Sequence, residues 1–169
     1  CACLVGSEMC IRDRPEAVMV TYKDTADIKE KLAGELDWAD CVVAGPGLSK
    51  SDTAKEIVAE MIAYQPKREK RLPVLLDADA LNIIAENRKL LSGIAENEGS
   101  SKQYVYTPHM GEAARLSGKS IAQLKETSCE SAKELAQKLR GICVLKDAAT
   151  VVSDGSRIYI NTCLLYTSP

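Results

Sequence analysis

Leu72 to Asn82 reads LPVLLDADALN, and the fold unpacks from this stretch. It opens with a short apolar run of the length expected for a buried strand. Asp77 and Asp79 then make a carboxylate-bearing turn, and helical spacing resumes at Leu81. The same unit recurs upstream in DCVVAGPGLSKSD (residues 40–52), where an apolar run ends in a glycine-rich turn. Ser51 or Thr53 caps the helix that follows, Thr53 with Glu56 fitting a capping box. That helix turns Ile57, Val58, Met61 and Ile62 inward and stops before Pro66. Downstream, YVYTPHMGEAARLSG (residues 104–118) repeats the unit with Gly118 as a helix C-cap. Thr127 and Glu130 make a further capping box before a helix ending at Gly141, and ICVLK is the next buried strand. At the upstream margin, Ala17 to Tyr22 is a strand candidate, and Ile28, Leu32 and Leu36 share one helical face. At the other, TVVSDGSRIYIN alternates around Asp154-Gly155, a two-residue hairpin signal. Strands alternating with helices imply right-handed crossovers. The expected architecture is α/β, a mostly parallel sheet with helices on both faces and a C-terminal β-hairpin.

Composition narrows what such a domain does. In 169 residues, 46% are apolar and 27% charged, which suits a folded domain and argues against disorder. The net charge of −2 offers no basic surface to a phosphate backbone, and aromatics at 4%, with no Phe, leave little for base stacking. Apolar runs stop at about five residues, against the ~20 that cross a bilayer. Neither nucleic acid nor membrane is an expected partner. Of seven cysteines, Cys1, Cys3, Cys10 and Cys163 lie near the ends, while Cys41, Cys129 and Cys143 read as small buried hydrophobes. The opening CACLVGSEMCIRDR and closing CLLYTSP resemble translated sequencing-adapter read-through. The domain is therefore expected over residues 15–162, with 1–14 and 163–169 as non-native ends of an internal fragment.

Ligands of open α/β sheets bind outside the carboxyl ends of the strands. Four such ends carry unusual residues: Gly45-Pro46-Gly47-Leu48, Asp77-Ala78-Asp79, Thr107-Pro108-His109 and Lys146-Asp147-Ala148. Parallel strands share a direction, so all four are expected on one rim. Gly45 and Gly47 let backbone N–H groups approach an anion, though a tight turn alone also explains them. Asp77 and Asp79 also fit a helix cap plus a solvated acid. His109 is the chain's one histidine, on a loop behind Pro108; its spacing to Glu112 occurs in metal helices, but no further ligand is at hand and no metal site is expected. Lys146 either meets a phosphate as a point charge or snorkels. Gly118-Lys119-Ser120 mimics the end of a P-loop, but the earlier glycine falls at Ala113 inside a helix and no strand precedes it.

Taken in order, VVAGPGLS, LLDADALN, YTPHMGE with AARLSG, and VLKDAATVV with the DG hairpin and YIN resemble the ribokinase-like ADP-dependent NAD(P)H-hydrate dehydratases. The resemblance implies repair of NADH or NADPH hydrate. ADP, or ATP, supplies a phosphoryl group to the ring hydroxyl, and loss of phosphate restores the double bond. It implies that Gly47 and His109 contact the hydrate, with Asp79 and Asn82 lining the cleft. Lys146, Asp147, Ala148, Ala149 and Thr150 then hold the nucleotide's phosphate side, with Mg2+ accompanying it on no identified ligand. The implied setting is cytoplasmic, in a homo-oligomer, with an epimerase fused or separate. Asp147 departs from a usual Gly and puts an acid near the phosphates unless it points to solvent or pairs with Lys146. The family's general-base Asp lies beyond the YIN hairpin, where this chain reads CLLYTSP, so the catalytic residue is unassigned and the fragment alone is expected to be inactive. A vitamin-precursor kinase on the same fold and a non-catalytic nucleotide-binding module are the competing readings.

Overall fold

A computed structural model of the chain describes residues 2–3, 18–64, 72–96 and 102–161. At its centre the apolar run Leu72–Leu76 is a strand, β4, with Leu72, Val74 and Leu76 buried. Pro73 is tolerated because pairing with the preceding strand begins only at Val74, so the sheet is one-sided where the proline lacks an N–H. In chain order the elements are β1 (Ala2–Cys3), β2 (Val18–Met19), α1 (Thr25–Trp38), β3 (Val42–Ala44) and α2 (Asp52–Ala63). After β4 come α3 (Ala78–Glu86), α4 (Arg88–Glu96), β5 (Lys102–Tyr106), α5 (Met110–Ser117), α6 (Ile121–Glu126) and α7 (Ser128–Lys138). The strands β6 (Ile142–Leu145), β7 (Thr150–Ser153) and β8 (Ile158–Asn161) finish the described chain.

Six strands form one sheet in the order β3-β4-β5-β6-β7-β8, parallel from β3 to β6 and antiparallel thereafter. The short β2 stands apart, paired in parallel with β1. From β3 to β6 the strand order advances one neighbour at a time, each step bridged by helix. Cys143, Leu145, Val151 and Ser153 are buried while their neighbours Ile142, Val144, Thr150 and Val152 are half-buried. Among the described residues the second face is thus more open than continuous apolar strands suggest. The expected inward positions hold on α1 (Ile28, Leu32, Leu36) and α2 (Ile57, Val58, Met61, Ile62). In a chain without Phe, Tyr106 fills the aromatic core position, fully buried, its hydroxyl donating to the Leu139 carbonyl at 2.9 Å.

Several local expectations change. Ser51, not Thr53, caps α2, its hydroxyl accepting from Ala54 N. Thr127 provides no side-chain cap for α7: it also closes α6, so its backbone (φ −126°, ψ 44°) lacks the extended geometry of the other N-caps, and its hydroxyl donates to the Gln123 carbonyl at 2.9 Å. The hairpin loop spans Asp154 to Arg157 rather than two residues, since Ser153 pairs with Ile158. The Asp154 carboxylate organises it by accepting from the N–H groups of Ser156 and Arg157. Gly118 does end α5, at φ 81°, and Ser120 caps α6, which removes the P-loop mimic. Cys143 is buried and its thiol is pushed up to about 12 by desolvation, whereas Cys129 is half-buried and Cys41 exposed, against expectation.

Candidate functional site at the strand ends

Register alone brings the strand ends together. Asp77 N donates to Ala44 O at 3.1 Å, Thr107 N to Leu76 O at 3.1 Å, and Lys146 N to Pro108 O at 2.8 Å. His109 and Lys146 form an isolated parallel bridge. The glycine turn, the two-aspartate turn, the imidazole and the lysine therefore leave the sheet at one rim.

The glycine turn is fitted to its neighbour. Gly45 sits at φ 126°, and a Cβ there would stand 1.7 Å from the Asp77 carbonyl oxygen. The turn closes with Leu48 N on Gly45 O at 3.0 Å. Ser49, at φ 64°, points its N–H at Asp79 Oδ2, 2.9 Å away. Asp79 thus holds the glycine turn from the first turn of α3. Asn82, one turn further along α3, accepts from Arg115 Nε at 2.8 Å.

Asp77 caps α3, accepting from Ala78 N at 2.9 Å, and the same carboxyl oxygen accepts from Lys146 Nζ at 2.9 Å. Burial alone would raise the Asp77 pKa, but the hydrogen bonds from Lys146 and Ala78 and the lysine's charge overcome it and hold the carboxyl below its ordinary 3.8. Asp147, by contrast, is exposed, and the lysine turns to Asp77, the cap of α3, instead. Ala148 and Ala149 lie exposed in the β6–β7 turn, and Thr150 opens β7.

Exchanging Asp77 for Asn keeps a good helix cap and removes the charge. A folded carboxyl that titrates below 3.8 stabilises the fold fully above that value, and the contribution is lost as pH falls through the lower folded value. Asp77→Asn is therefore expected to be less stable than the unmodified chain by ~1 kcal/mol near neutral pH, a figure reduced for the lysine's partial exposure. Urea unfolding should show that gap closing in acid; a gap independent of pH refutes the ion pair as its source.

His109 is the N-cap of α5. Its Nδ1 accepts from Gly111 N at 2.9 Å, while Glu112 Oε2 accepts from His109 N at 2.9 Å. The imidazole is more than half exposed beside a Glu112 that is buried. The His-x-x-Glu spacing that also occurs in metal helices is here a capping box, with His in the place usually held by Ser or Thr. Arg115 as the partner of Asn82, and Asp77 rather than Asp79 as the partner of Lys146, have no local signal in the sequence because these pairings span 33 and 69 residues. Among the described residues no group of three His, Cys, Asp or Glu side chains is close enough to hold a metal ion. No helix there is long and apolar enough to cross a membrane.

The sequence profile of the NAD(P)H-hydrate dehydratase family matches residues 4–163. The bifunctional NAD(P)H-hydrate repair enzyme Nnr of Escherichia coli K12 is 39% identical over 140 residues, covering 83% of this chain and 23% of that protein. The corresponding enzyme of Coxiella burnetii is 34% identical over 146 residues, 86% of this chain and 26% of that one. The chain therefore spans about a quarter of the length of these relatives. Among solved structures it is similar to the ADP/ATP-dependent NAD(P)H-hydrate dehydratase of Bacillus subtilis, co-crystallised with ATP/Mg2+ and soaked with CoA. That likeness has a TM-score of 0.66 at 25% identity and covers 92% of this chain and 50% of the other. A ribokinase-like superfamily protein of Enterococcus faecalis shares the fold at TM-score 0.70 and 24% identity, with 92% and 49% covered. With the profile running almost end to end across this sheet and its rim, the chain belongs to the NAD(P)H-hydrate dehydratase family.

Proposed function

We propose that this chain forms the strand-end half of an active site that dehydrates the S form of NADH or NADPH hydrate, with ADP as phosphoryl donor and AMP and phosphate as products. The observation that carries the reading is the rim itself. A glycine turn, a half-exposed imidazole and a cation, which are separated by some hundred residues of chain, lie side by side there. Hydroxide leaves poorly and phosphate leaves well, so converting the ring hydroxyl to a phosphate ester makes the elimination feasible.

Gly47 and His109 are assigned to the hydrate, with Asp79 and Asn82 lining the cleft. Asp79 acts through the glycine turn, whose backbone it pins at Ser49. Asn82 is oriented by Arg115. Lys146 to Thr150 are assigned to the nucleotide's phosphate side, where the Lys146 ammonium, pre-positioned by Asp77, offers its remaining N–H donors to anionic oxygens. These donors fit a phosphate. Asp77 and Asp79 are already engaged, so Mg2+ is expected to arrive on the nucleotide rather than on a cage of protein ligands. Catalysis at such a rim is mostly positioning and charge stabilisation. A homo-oligomer, an accompanying epimerase activity and a cytoplasmic setting complete the proposal.

The test incubates the full-length protein carrying this chain with hydrated NADH and ADP. Recovery of NADH absorbance with stoichiometric AMP is expected. No turnover with either ADP or ATP overturns the reading.

A further inference from the structure

We propose that Glu112 is a positioning residue that sets the tautomer of His109, so that the imidazole meets its ligand as a hydrogen-bond donor through Nε2. The proposal rests on the assignment of His109 to the ligand cleft, and goes beyond it by naming the group that prepares the ring and the kind of atom it recognises.

A neutral imidazole has one N–H and one acceptor nitrogen. The acceptor role is already taken at Nδ1, which receives Gly111 N at 2.9 Å. The hydrogen of the neutral ring therefore belongs on Nε2. Glu112 reinforces that choice twice over. Its Oε2 accepts from His109 N at 2.9 Å, fixing the backbone from which the ring departs. Its Oε1 lies 3.4 Å from Nε2, near enough to favour a hydrogen there and too far to consume it in a full hydrogen bond. A carboxylate only 4% exposed is costly unless it is satisfied, and both of its oxygens face His109. Gly111 completes the arrangement: a Cβ at that position would stand 2.8 Å from His109 Cε1, so a larger residue there would push the ring from its present seat. With Nε2–H on a ring 57% exposed at the rim, the partner is an acceptor oxygen, a carbonyl or hydroxyl or phosphate oxygen, and not a donor.

These 169 residues contain one histidine, so its two imidazole nitrogens can be read without assignment ambiguity in a long-range proton–nitrogen correlation spectrum of this chain. The expected spectrum has widely split nitrogens, Nδ1 in the unprotonated range and Nε2 in the protonated range. Glu112→Ala frees both the backbone and Nε2 of His109, so the ring is expected to swing off the Gly111 N–H and, exchanging between tautomers, to lose most of that splitting. Glu112→Gln keeps an acceptor for His109 N but sets its amide N–H2 in place of Oε1 opposite Nε2, and is expected to keep the ring seated while still lowering the splitting, which separates the two contributions of the carboxylate. Gly111→Ala is the second variant: it pushes on the ring without touching the carboxylate and is expected to reduce the splitting as well, while the α5 amide resonances of Ala113 and Leu116 report that the helix persists. An Nδ1–H tautomer in the unmodified chain, or full splitting in Glu112→Ala, overturns the proposal. Addition of NADPH is a separate arm. It is run by calorimetry on the full-length protein carrying this chain and on its His109→Ala variant: weaker NADPH binding in the variant supports His109 as a ligand contact, and unchanged affinity counts against the proposed function while the tautomer result stands on its own.

Discussion

Replacing Gly45 by alanine is expected to remove a large part of this chain's stability, about 4 kcal/mol or more. The new methyl carbon would stand 1.7 Å from the carbonyl oxygen of Asp77, 2.7 Å from its carbonyl carbon and 3.1 Å from Ala80 Cβ. Two of those atoms are backbone and cannot rotate away. Relief requires the ends of β3 and β4 to part, which breaks the hydrogen bond from Asp77 N to Ala44 O and shifts the cap of α3. The backbone at φ 126° is also a conformation that alanine resists. A clash of this kind belongs with the largest single-substitution effects, about 4 kcal/mol or more, against total stabilities of ~5–15 kcal/mol. Gly47→Ala is the control. Its φ of 69° is left-handed too, but nothing lies within 4 Å of the added carbon, so a loss of only ~1–2 kcal/mol is expected. Circular-dichroism melts of the two variants check the contrast. Equal losses would mean that the approach of Gly45 to Asp77 is not what confines this turn.

The second large effect is at Lys146. Lys146→Met keeps the apolar stem and removes the ammonium, and is expected to weaken ADP binding on the order of 10- to 100-fold, the size of a lost charge-assisted hydrogen bond. The same change strands the half-buried Asp77 carboxylate, so stability falls as well. The double variant Lys146→Met with Asp77→Asn separates the two roles. Its stability should recover relative to Lys146→Met, because no unpaired charge is left, while its ADP affinity should not. Calorimetric titration of the full-length protein measures the binding and urea unfolding the stability. An unchanged ADP affinity in Lys146→Met removes this lysine from the nucleotide site.

What could be read in advance depended on how far apart the interacting residues lie. The alternation of strand and helix was legible, as were the inward faces of α1 and α2, because periodicity within one element is a local property. Caps were less secure, since each depends on where the preceding element ends. Thr127 has the right residue type and spacing for a cap, but α6 ends on it and leaves its backbone out of the extended N-cap geometry. Position in the sheet also escaped the sequence: Val43 reads as a buried strand residue and is 63% exposed on the edge strand. Cys41, just ahead of that strand, is exposed for the same reason of place.

At the candidate site the division is sharper. The local sequence determined that apolar strands end in Gly45, Asp77, His109 and Lys146, and the common direction of parallel strands put those ends at one rim. Only the tertiary structure decided the partners: Asp77 rather than Asp79 or Asp147 for Lys146, the Ser49 amide for Asp79, and Arg115 for Asn82. Those pairings span 30 to 69 residues. They follow from the register of β3, β4, β5 and β6 and from how α3 meets α5, quantities set by packing across the whole sheet and carried by no one segment of the chain.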